Sequence, residues 1–397
     1  MGQTLSNPIT TKDTTSGGDE KYIFAASSMQ GWRITMEDAH TTLLNIDETS
    51  KVAFFAVFDG HGGSNAAIFA GKHLHKHIID SEHYSKGEYE LAIRDGFMSA
   101  DDELRKISSK SGDPSGCTSV VVLLTPDGQI YCGNAGDSRA ILSCSGDAVE
   151  LSHDHKPSNP EEYKRIVASG GFVEYGRVNG NLALSRALGD FDFKKNEGRS
   201  AEEQMVTALP DVINRTITAE DEFIVVACDG IWDCLTNQQV SHYVRECISL
   251  GAKLEEICES MMEKCLASES ELGGVGCDNM TVLIVGILQG KTESEWYESI
   301  AKKFIQEDHD IHDMNIVDSD NSVSEPENNH EMQIDSVNST TPASDDSKPS
   351  NSDKIEETEP ETEADSKTIE SDITVTHNDK TEIGSSKASN LEHEESK

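Results

Sequence analysis

Residues 52–60 read VAFFAVFDG, and residues 223–230 read FIVVACDG. Each is a short apolar run, rich in Val, Ile and Phe, that stops at an Asp-Gly pair, Asp59-Gly60 and Asp229-Gly230. Runs of this length and composition read as buried strands. A third acidic position, Asp278, comes just before the apolar run Met280 to Leu288, and Asp137 stands at another strand junction within Asn134-Ala135-Gly136-Asp137. An unpaired carboxylate at the rim of a core costs roughly several kcal/mol, so these strand ends call for a neutralising partner. One Asp-Gly alone is a turn dipeptide. Four acidic strand ends in one core favour a shared ion site, and Asp, Glu and glycine carbonyl oxygens suit a hard cation, Mg²⁺ or Mn²⁺.

Outward from these runs, Tyr22 to Ser28 reads as a first strand. Gly62-Gly63-Ser64 opens a helical pattern reaching about Asp80, and Gly87 to Lys110 forms a second. Cys117 to Leu124, Gln129 to Cys132 and Arg139 to Ser143 read as successive strands of an antiparallel meander. Residues 152–200 are loop-rich apart from a short helix near Glu161 to Ala168, and helices near Gln238 to Leu250 and Leu254 to Ala267 precede the last strand. Strands joined by hairpins and helices in pairs predict an α+β fold, a sandwich of two antiparallel β-sheets flanked by α-helices. The expected organisation is a flexible N-terminal arm over 1–20, a folded domain over 21–290, a short C-terminal helix over 291–306 and a disordered acidic tail over 307–397.

The tail assignment rests on composition. Residues 307–397 hold 26 Asp and Glu against 6 Lys and Arg, with no Phe, Trp, Tyr or Cys, so they cannot bury enough apolar surface to offset chain entropy. The whole chain carries a net charge of −40, with no basic run, which disfavours a nucleic-acid partner. No apolar stretch approaches the roughly 18 residues that span a bilayer, and no secretory signal is present. Nine cysteines, without a Cys-x-x-Cys pair and mostly within apolar runs, read as reduced thiols of the cytoplasm or nucleus. The start, MGQTLS, fits the N-myristoylation pattern at Gly2; one acyl chain without a polybasic segment would give at most weak membrane association.

Asp59 and His61, two apart in an extended segment, share a face, and Gly60 between them lets its carbonyl approach closely. Arg33 offers a planar guanidinium for phosphate oxygens, and Glu37-Asp38 offers further oxygen ligands; each alone would pass for a surface group. His73, His75 and His77 lie at i, i+2 spacing on a helix, do not share a face, and are expected to be solvated. His153 and His155 border the loop-rich segment, where a structural role is the plainer reading and contact with a substrate the alternative.

At these residues the chain resembles the metal-dependent type 2C protein serine/threonine phosphatases of eukaryotes. The resemblance is carried by GWRITMEDAH (31–40), FFAVFDGHGG (54–63), SGCTSVVVLL (115–124), GNAGDSRAIL (133–142), DHKPSNPEE (154–162), VNGNLALSRALGD (178–190), VVACDGIWD (225–233) and GCDNMTVLIV (276–285). It implies a dinuclear metal site at one end of the sandwich, with Asp59 bridging two Mn²⁺ or Mg²⁺ ions, the Gly60 carbonyl and Glu37 on one of them, and Asp229 and Asp278 on the other. Asp38 would hold metal-bound water, Arg33 would grip the phosphate, and His61 would protonate the departing Ser or Thr alkoxide. Asp137 and Asp233 match a weaker third metal, and 154–190 matches a variable flap. Such an enzyme is implied to be a monomer acting on phosphorylated proteins, kinases among them, as a negative regulator of kinase signalling.

A cysteine-based phosphatase would need Arg six positions after its Cys, but Cys132 is followed there by Ser138 and Cys258 by Lys264. A catalytically silent scaffold would have lost metal ligands, and all are present. The acidic tail places an acid three residues after Ser322, Thr358, Thr362 and Thr376, a pattern open to two readings, phosphorylation with recruitment of phosphothreonine-reading domains or a merely solubilising tail.

Overall fold

The computed structural model describes residues 4–47, 49–270 and 274–320. Gly2 and the tail positions from 321 onward, Ser322, Thr358, Thr362 and Thr376 among them, lie outside the described residues. In chain order the strands are β1 (Thr4–Gly18), β2 (Tyr22–Arg33), β3 (Ala39–Leu43), β4 (Ala53–Phe58), β5 (Gly60–His61), β6 (Gly116–Cys117), β7 (Ser119–Leu124) and β8 (Gln129–Ala135). They continue as β9 (Arg139–Cys144), β10 (Asp147–Glu150), β11 (Val173–Glu174), β12 (Arg177–Val178), β13 (Leu188–Gly189), β14 (Asp211–Thr216), β15 (Asp221–Ala227) and β16 (Met280–Ile287). The α-helices are α1 (Asn65–Asp80), α2 (Tyr89–Ser111), α3 (Pro160–Ala168), α4 (Asp229–Trp232), α5 (Asn237–Ser249), α6 (Leu254–Cys265) and α7 (Glu293–Asp320).

Two antiparallel sheets form the sandwich, ordered β1-β2-β16-β15-β9-β10 and β14-β8-β7-β4-β3. The alternation along β4 shows why its sequence is apolar throughout. Ala53, Phe55 and Val57 join the core between the sheets, while Phe54, Ala56 and Phe58 pack with α1 and α2 on the outer face. In β15, Ile224 and Val226 point between the sheets, whereas Phe223, Val225 and Ala227 meet residues of α5, α6 and α7, including Val244, Met261 and Trp296. Both strands are thus buried on two sides, in an order helix, sheet, sheet, helix. Phe24 and Phe55 meet across the inter-sheet core with ring centroids 5.6 Å apart. Truncating a fully buried Phe of this kind to Ala costs about 3–5 kcal/mol.

Helix boundaries follow capping chemistry. Thr236 accepts from the Gln239 backbone N–H and Gln239 returns the bond at the start of α5, and Pro160 opens α3 with Glu161 and Glu162 in its first turn.

Three expectations are corrected. The first 20 residues are not a free arm: β1 pairs antiparallel with β2, and Lys12 and Thr14 bind Glu263 and Glu259 of α6 at 2.7 Å each. The expected meander stops after β8. The chain then crosses through Gly136 and Asp137 into the other sheet, where β9 pairs with β10 and β15. The last helix does not end at 306; α7 runs to Asp320, anchored by Trp296 and Ile300 in the core and by a two-bond contact from Arg245 to Glu307.

Candidate metal centre and phosphate cleft

β4 and β15 belong to different sheets, and the acidic residues that follow them open into one cleft of about 660 Å³. Arg33, Asp59, Gly60, His61, Asp137, Asp229, Asp233 and Asp278 all line it. Asp59 is fixed by a reciprocal pair of bonds with Thr118: its N–H donates to Thr118 Oγ1 at 3.1 Å, and its carbonyl accepts from Thr118 N at 2.9 Å. Asp229 begins α4, and Asp278 immediately precedes Asn279 and β16.

Glycines close the backbone together at two points of the site, Gly60 against the link between β2 and β3 and Gly230 between the ends of the neighbouring strands β15 and β16. A Cβ on Gly60 would stand 2.2 Å from the Glu37 carbonyl oxygen, and one on Gly230 would stand 2.1 Å from the Asn279 carbonyl oxygen. Only glycine permits these approaches, and the first brings the Glu37-Asp38 link against the end of β4. Glu37 accepts from Gly63 N at 3.0 Å through Oε2 and from Thr35 Oγ1 at 2.7 Å through Oε1. Its own N–H donates to Asn279 Oδ1 at 2.9 Å, while Asn279 Nδ2 donates to the carbonyls of Gln30 and Thr35. Asn279, to which sequence reasoning gave no role, thereby pins the acidic link between β2 and β3 to the start of β16.

Asp38 Oδ2 accepts from Thr281 Oγ1 at 2.7 Å, but its Oδ1 is buried without a hydrogen-bond partner in the protein. One Asp38 oxygen, one Asp59 oxygen and Cys228 Sγ lie within 4.8 Å of one another. Burial pushes the Asp38 carboxyl up to about 7 against the Thr281 hydrogen bond, with Asp278 adding to the rise. Asp59 is raised well above the carboxylate range by burial first, then by Asp229, Asp38, Asp278 and Asp137. Burial and neighbouring acids likewise raise Asp229, and burial raises Asp278 and Asp233. A group of half-buried carboxylates that repel one another, with one buried oxygen orphaned, matches what hard divalent cations require. The residues present fit such cations.

Three of the basic side chains that line the cleft have acidic neighbours. Arg33 Nη2 donates to Asp278 Oδ2, and Lys156 Nζ donates to Asp137 Oδ2 at 2.5 Å. His61 Nε2 lies 2.7 Å from Oδ2 of the buried Asp190. Burial works against the imidazolium, but the charge and hydrogen bond of Asp190 outweigh it and the His61 pKa is raised. Asp190 and Lys156 both lie in quoted motifs, yet neither announced a partner, because Asp190 is 129 residues from His61 in sequence. The other histidines stand apart. His155 is buried, taking a bond from Gly136 N at 3.2 Å and meeting Asp211 at 3.0 Å, while His153 pairs with Glu150. The expectation that His73, His75 and His77 do not share a face holds only for His75, which meets Phe54; His73 and His77, four residues apart, share a face and both meet Phe69, at 4.8 and 6.4 Å, and all three are half-buried rather than solvated.

A family model described as Protein phosphatase 2C matches residues 22–272. The chain belongs to the protein phosphatase 2C family. Protein phosphatase 2C homolog 2 of Hypocrea jecorina is 51% identical over 311 residues, 76% of this chain and 71% of that one. A probable protein phosphatase 2C of Caenorhabditis elegans is 51% identical over 302 residues, covering 76% and 85%. A phosphatase structure from Toxoplasma gondii superposes with a TM-score of 0.60 at 28% identity, over 71% of this chain and 97% of that chain. A serine-threonine phosphatase 2C structure from the same organism, at 22% identity and TM-score 0.60, shares the fold. The chain is accordingly a metal-dependent protein serine/threonine phosphatase, and the silent-scaffold alternative is not favoured. All nine cysteines are free thiols, and among the described residues no helix is long and apolar enough to cross a membrane.

Proposed function

We propose that this phosphatase hydrolyses phosphoserine and phosphothreonine in proteins with two Mn²⁺ or Mg²⁺ ions held between the sheets. Asp59 would be shared by both, with Glu37 and the Gly60 carbonyl on one side and Asp229 and Asp278 on the other; Asp137 and Asp233 would serve a weaker third ion. Bound there, the cations supply Lewis-acid polarisation of the phosphoryl group and a water of lowered pKa. The observation that carries the reading is the half-buried, mutually repelling carboxylate group with its buried, orphaned Asp38 oxygen.

The chain's own groups do the rest. Arg33, exposed at the mouth and resting on Asp278, has a guanidinium fork suited to the non-bridging oxygens of a phosphate. A Ser or Thr alkoxide is a poor leaving group, so a proton donor at its oxygen contributes about 10²–10⁴ in rate. His61, whose protonated form Asp190 favours against the effect of burial, is that donor. Asp38 accepts from Thr281, which leaves its second oxygen free to take a proton from the attacking water.

The phosphatase works on phosphorylated proteins, kinases among them, in the cytoplasm and nucleus, as a monomer that opposes kinase signalling. The N-terminal pattern and the acidic tail add a myristoylation site at Gly2 and phosphothreonine-reader docking. The deciding experiment is hydrolysis of a phosphothreonine peptide with Mn²⁺, with Mg²⁺ and with chelator: turnover restored by either cation after chelation is expected, and undiminished turnover in chelator refutes the metal assignment.

A further inference from the structure

The cleft has a wall that the chemistry above leaves unused. Arg177, Leu182, Ala183 and Leu184, from the segment between α3 and β13, line it together with the carboxylate group. Besides His61, which is matched by Asp190, three Lys and Arg side chains line this cleft among the described residues, and two of them are already matched, Arg33 by Asp278 and Lys156 by Asp137. Arg177 is exposed, and the only hydrogen bond of its guanidinium among the described residues runs from Nη1 to the Asn181 carbonyl at 2.7 Å. Glu174 faces it in the β11–β12 ladder, but no ion pair forms; the Glu174 carboxylate lies instead beside Gly180.

The position of this guanidinium is built into the backbone. Tyr175 and Gly176, with φ of 50° and 72°, make the tight turn before it, and Asn179 and Gly180, with φ of 51° and 71°, make another after it. Val178 is fully buried, in a small core with Ile166, Leu184, Ala187 and Val206, and Val178 N donates to the Leu182 carbonyl at 2.8 Å. Alternation along a strand puts neighbours on opposite faces, so sinking Val178 into that core turns Arg177 outward. The ordering cost of presenting the side chain has been met in part before any ligand arrives.

We infer that Arg177 is a specificity-determining residue that receives an anionic group of the substrate flanking the phosphorylated Ser or Thr. The inference rests on the site assignment above. An unmatched guanidinium fork is suited to one chemistry, a planar or tetrahedral oxyanion, which in a protein substrate is an Asp or Glu carboxylate or a second phosphate. The surroundings sharpen the effect. With a net charge of −40 the protein repels acidic segments generally, so a single unpaired cation in the cleft sets the register in which such a segment can enter.

The test uses the full chain with Mn²⁺ and phosphothreonine peptides identical except at one flanking position, which carries Ala, Glu or phosphoserine, with that position walked along both flanks. At one of them kcat/KM should favour the anionic peptide over the Ala peptide by up to about fivefold, the size of an exposed ion pair, and the ratio should shrink with added salt. Arg177→Gln, which can still donate to the Asn181 carbonyl, should bring the ratio to one; Arg177→Lys should keep part of it, and Arg177→Glu should invert it. Preference for phosphoserine without preference for Glu identifies the anion as phosphate. A ratio unchanged in Arg177→Gln, or no preference in the unsubstituted chain, overturns the inference. Failure of that chain to hydrolyse any peptide would refute the site assignment itself.

Discussion

Gly60→Ala places one methyl group where the two halves of the acidic site meet. The added Cβ would stand 2.2 Å from the Glu37 carbonyl oxygen, whereas ordinary contact begins at 3.4 Å, so the two backbones must separate by about 1.2 Å. The neighbour is main chain and cannot swing aside, and the Ala67 Cβ at 3.2 Å closes the other direction. Overpacking of this kind costs about 1–3 kcal/mol, which lowers the melting temperature by several degrees without unfolding the chain. The effect on chemistry should be larger. Glu37 and Asp38 ride on the displaced strand link, and a misplacement of about 1 Å among catalytic groups costs on the order of 10² in rate. The assay is kcat/KM on a phosphothreonine peptide together with the rise in melting temperature on adding Mn²⁺; both should fall. Gly71→Ala, in α1 with its nearest neighbours at 3.6 Å, is the control and should be neutral or stabilising by up to about 1 kcal/mol. A Gly60→Ala protein with normal turnover and a normal Mn²⁺ response would refute the argument that this contact sets the site.

Three further outcomes are expected. Because Asp59 and Asp229 are raised by burial and mutual repulsion and Asp38 is pushed up to about 7, the metal-free folded chain holds protons that the unfolded chain releases. This contribution to stability is therefore full below the unfolded value of 3.8 and lost as pH rises through about 7, so in chelator the melting temperature should drop between about pH 5 and pH 8, and excess Mn²⁺ should remove most of the drop. His61 has its pKa raised, so its pairing with Asp190 stabilises the fold below 6.5 and is lost as pH climbs through the folded value; Asp190→Asn should move the alkaline limb of peptide hydrolysis to lower pH while leaving that limb unmoved for an aryl phosphate, and an unmoved limb on the peptide counts against the His61 role. Deleting residues 321–397 should change small-substrate turnover by less than about twofold, a few tenths of a kcal/mol in barrier. Cutting after Gln306 should lower the melting temperature as well, since it removes the Glu307 carboxylate held by the buried Arg245 at 2.6 and 2.9 Å.

What could be read from the sequence follows from what each segment buries. β4 and β15 announce themselves because both faces are covered, which forces unbroken apolar runs whose acidic ends then stand out. β1 gave no such signal: it is an edge strand of Thr, Ser and Lys residues, held by ladder bonds and by Lys12 and Thr14 on α6, and such pairing leaves no hydrophobic alternation. The strand 139–143 was visible as a strand, but its sheet was not, because the same apolar alternation serves either layer; the switch is made by the turn at Gly136 and Asp137. The acids at 37, 38, 59, 229 and 278 were legible as a group, whereas the Asp190 contact to His61 and the Asn279 bridge depend on approach between segments far apart in sequence. α7 beyond Gln306 was hidden because its composition matches the acidic tail that follows.

Because Asp59 and Gly60 hang from the sheet containing β4 while Asp229 and Asp278 hang from the sheet containing β15 and β16, the sandwich works as a pair of calipers whose jaws are acidic. The gap between the jaws is set by the side chains stacked between the sheets, Phe24, Phe55, Val122 and Leu283 among them. A methylene gained or lost there alters the spacing of ligands attached to opposite layers, even though the substituted residue touches neither substrate nor ion. Volume in that interior is consequently a chemical variable as well as a structural one, and drift in the size of its residues should be read against turnover before it is read against stability.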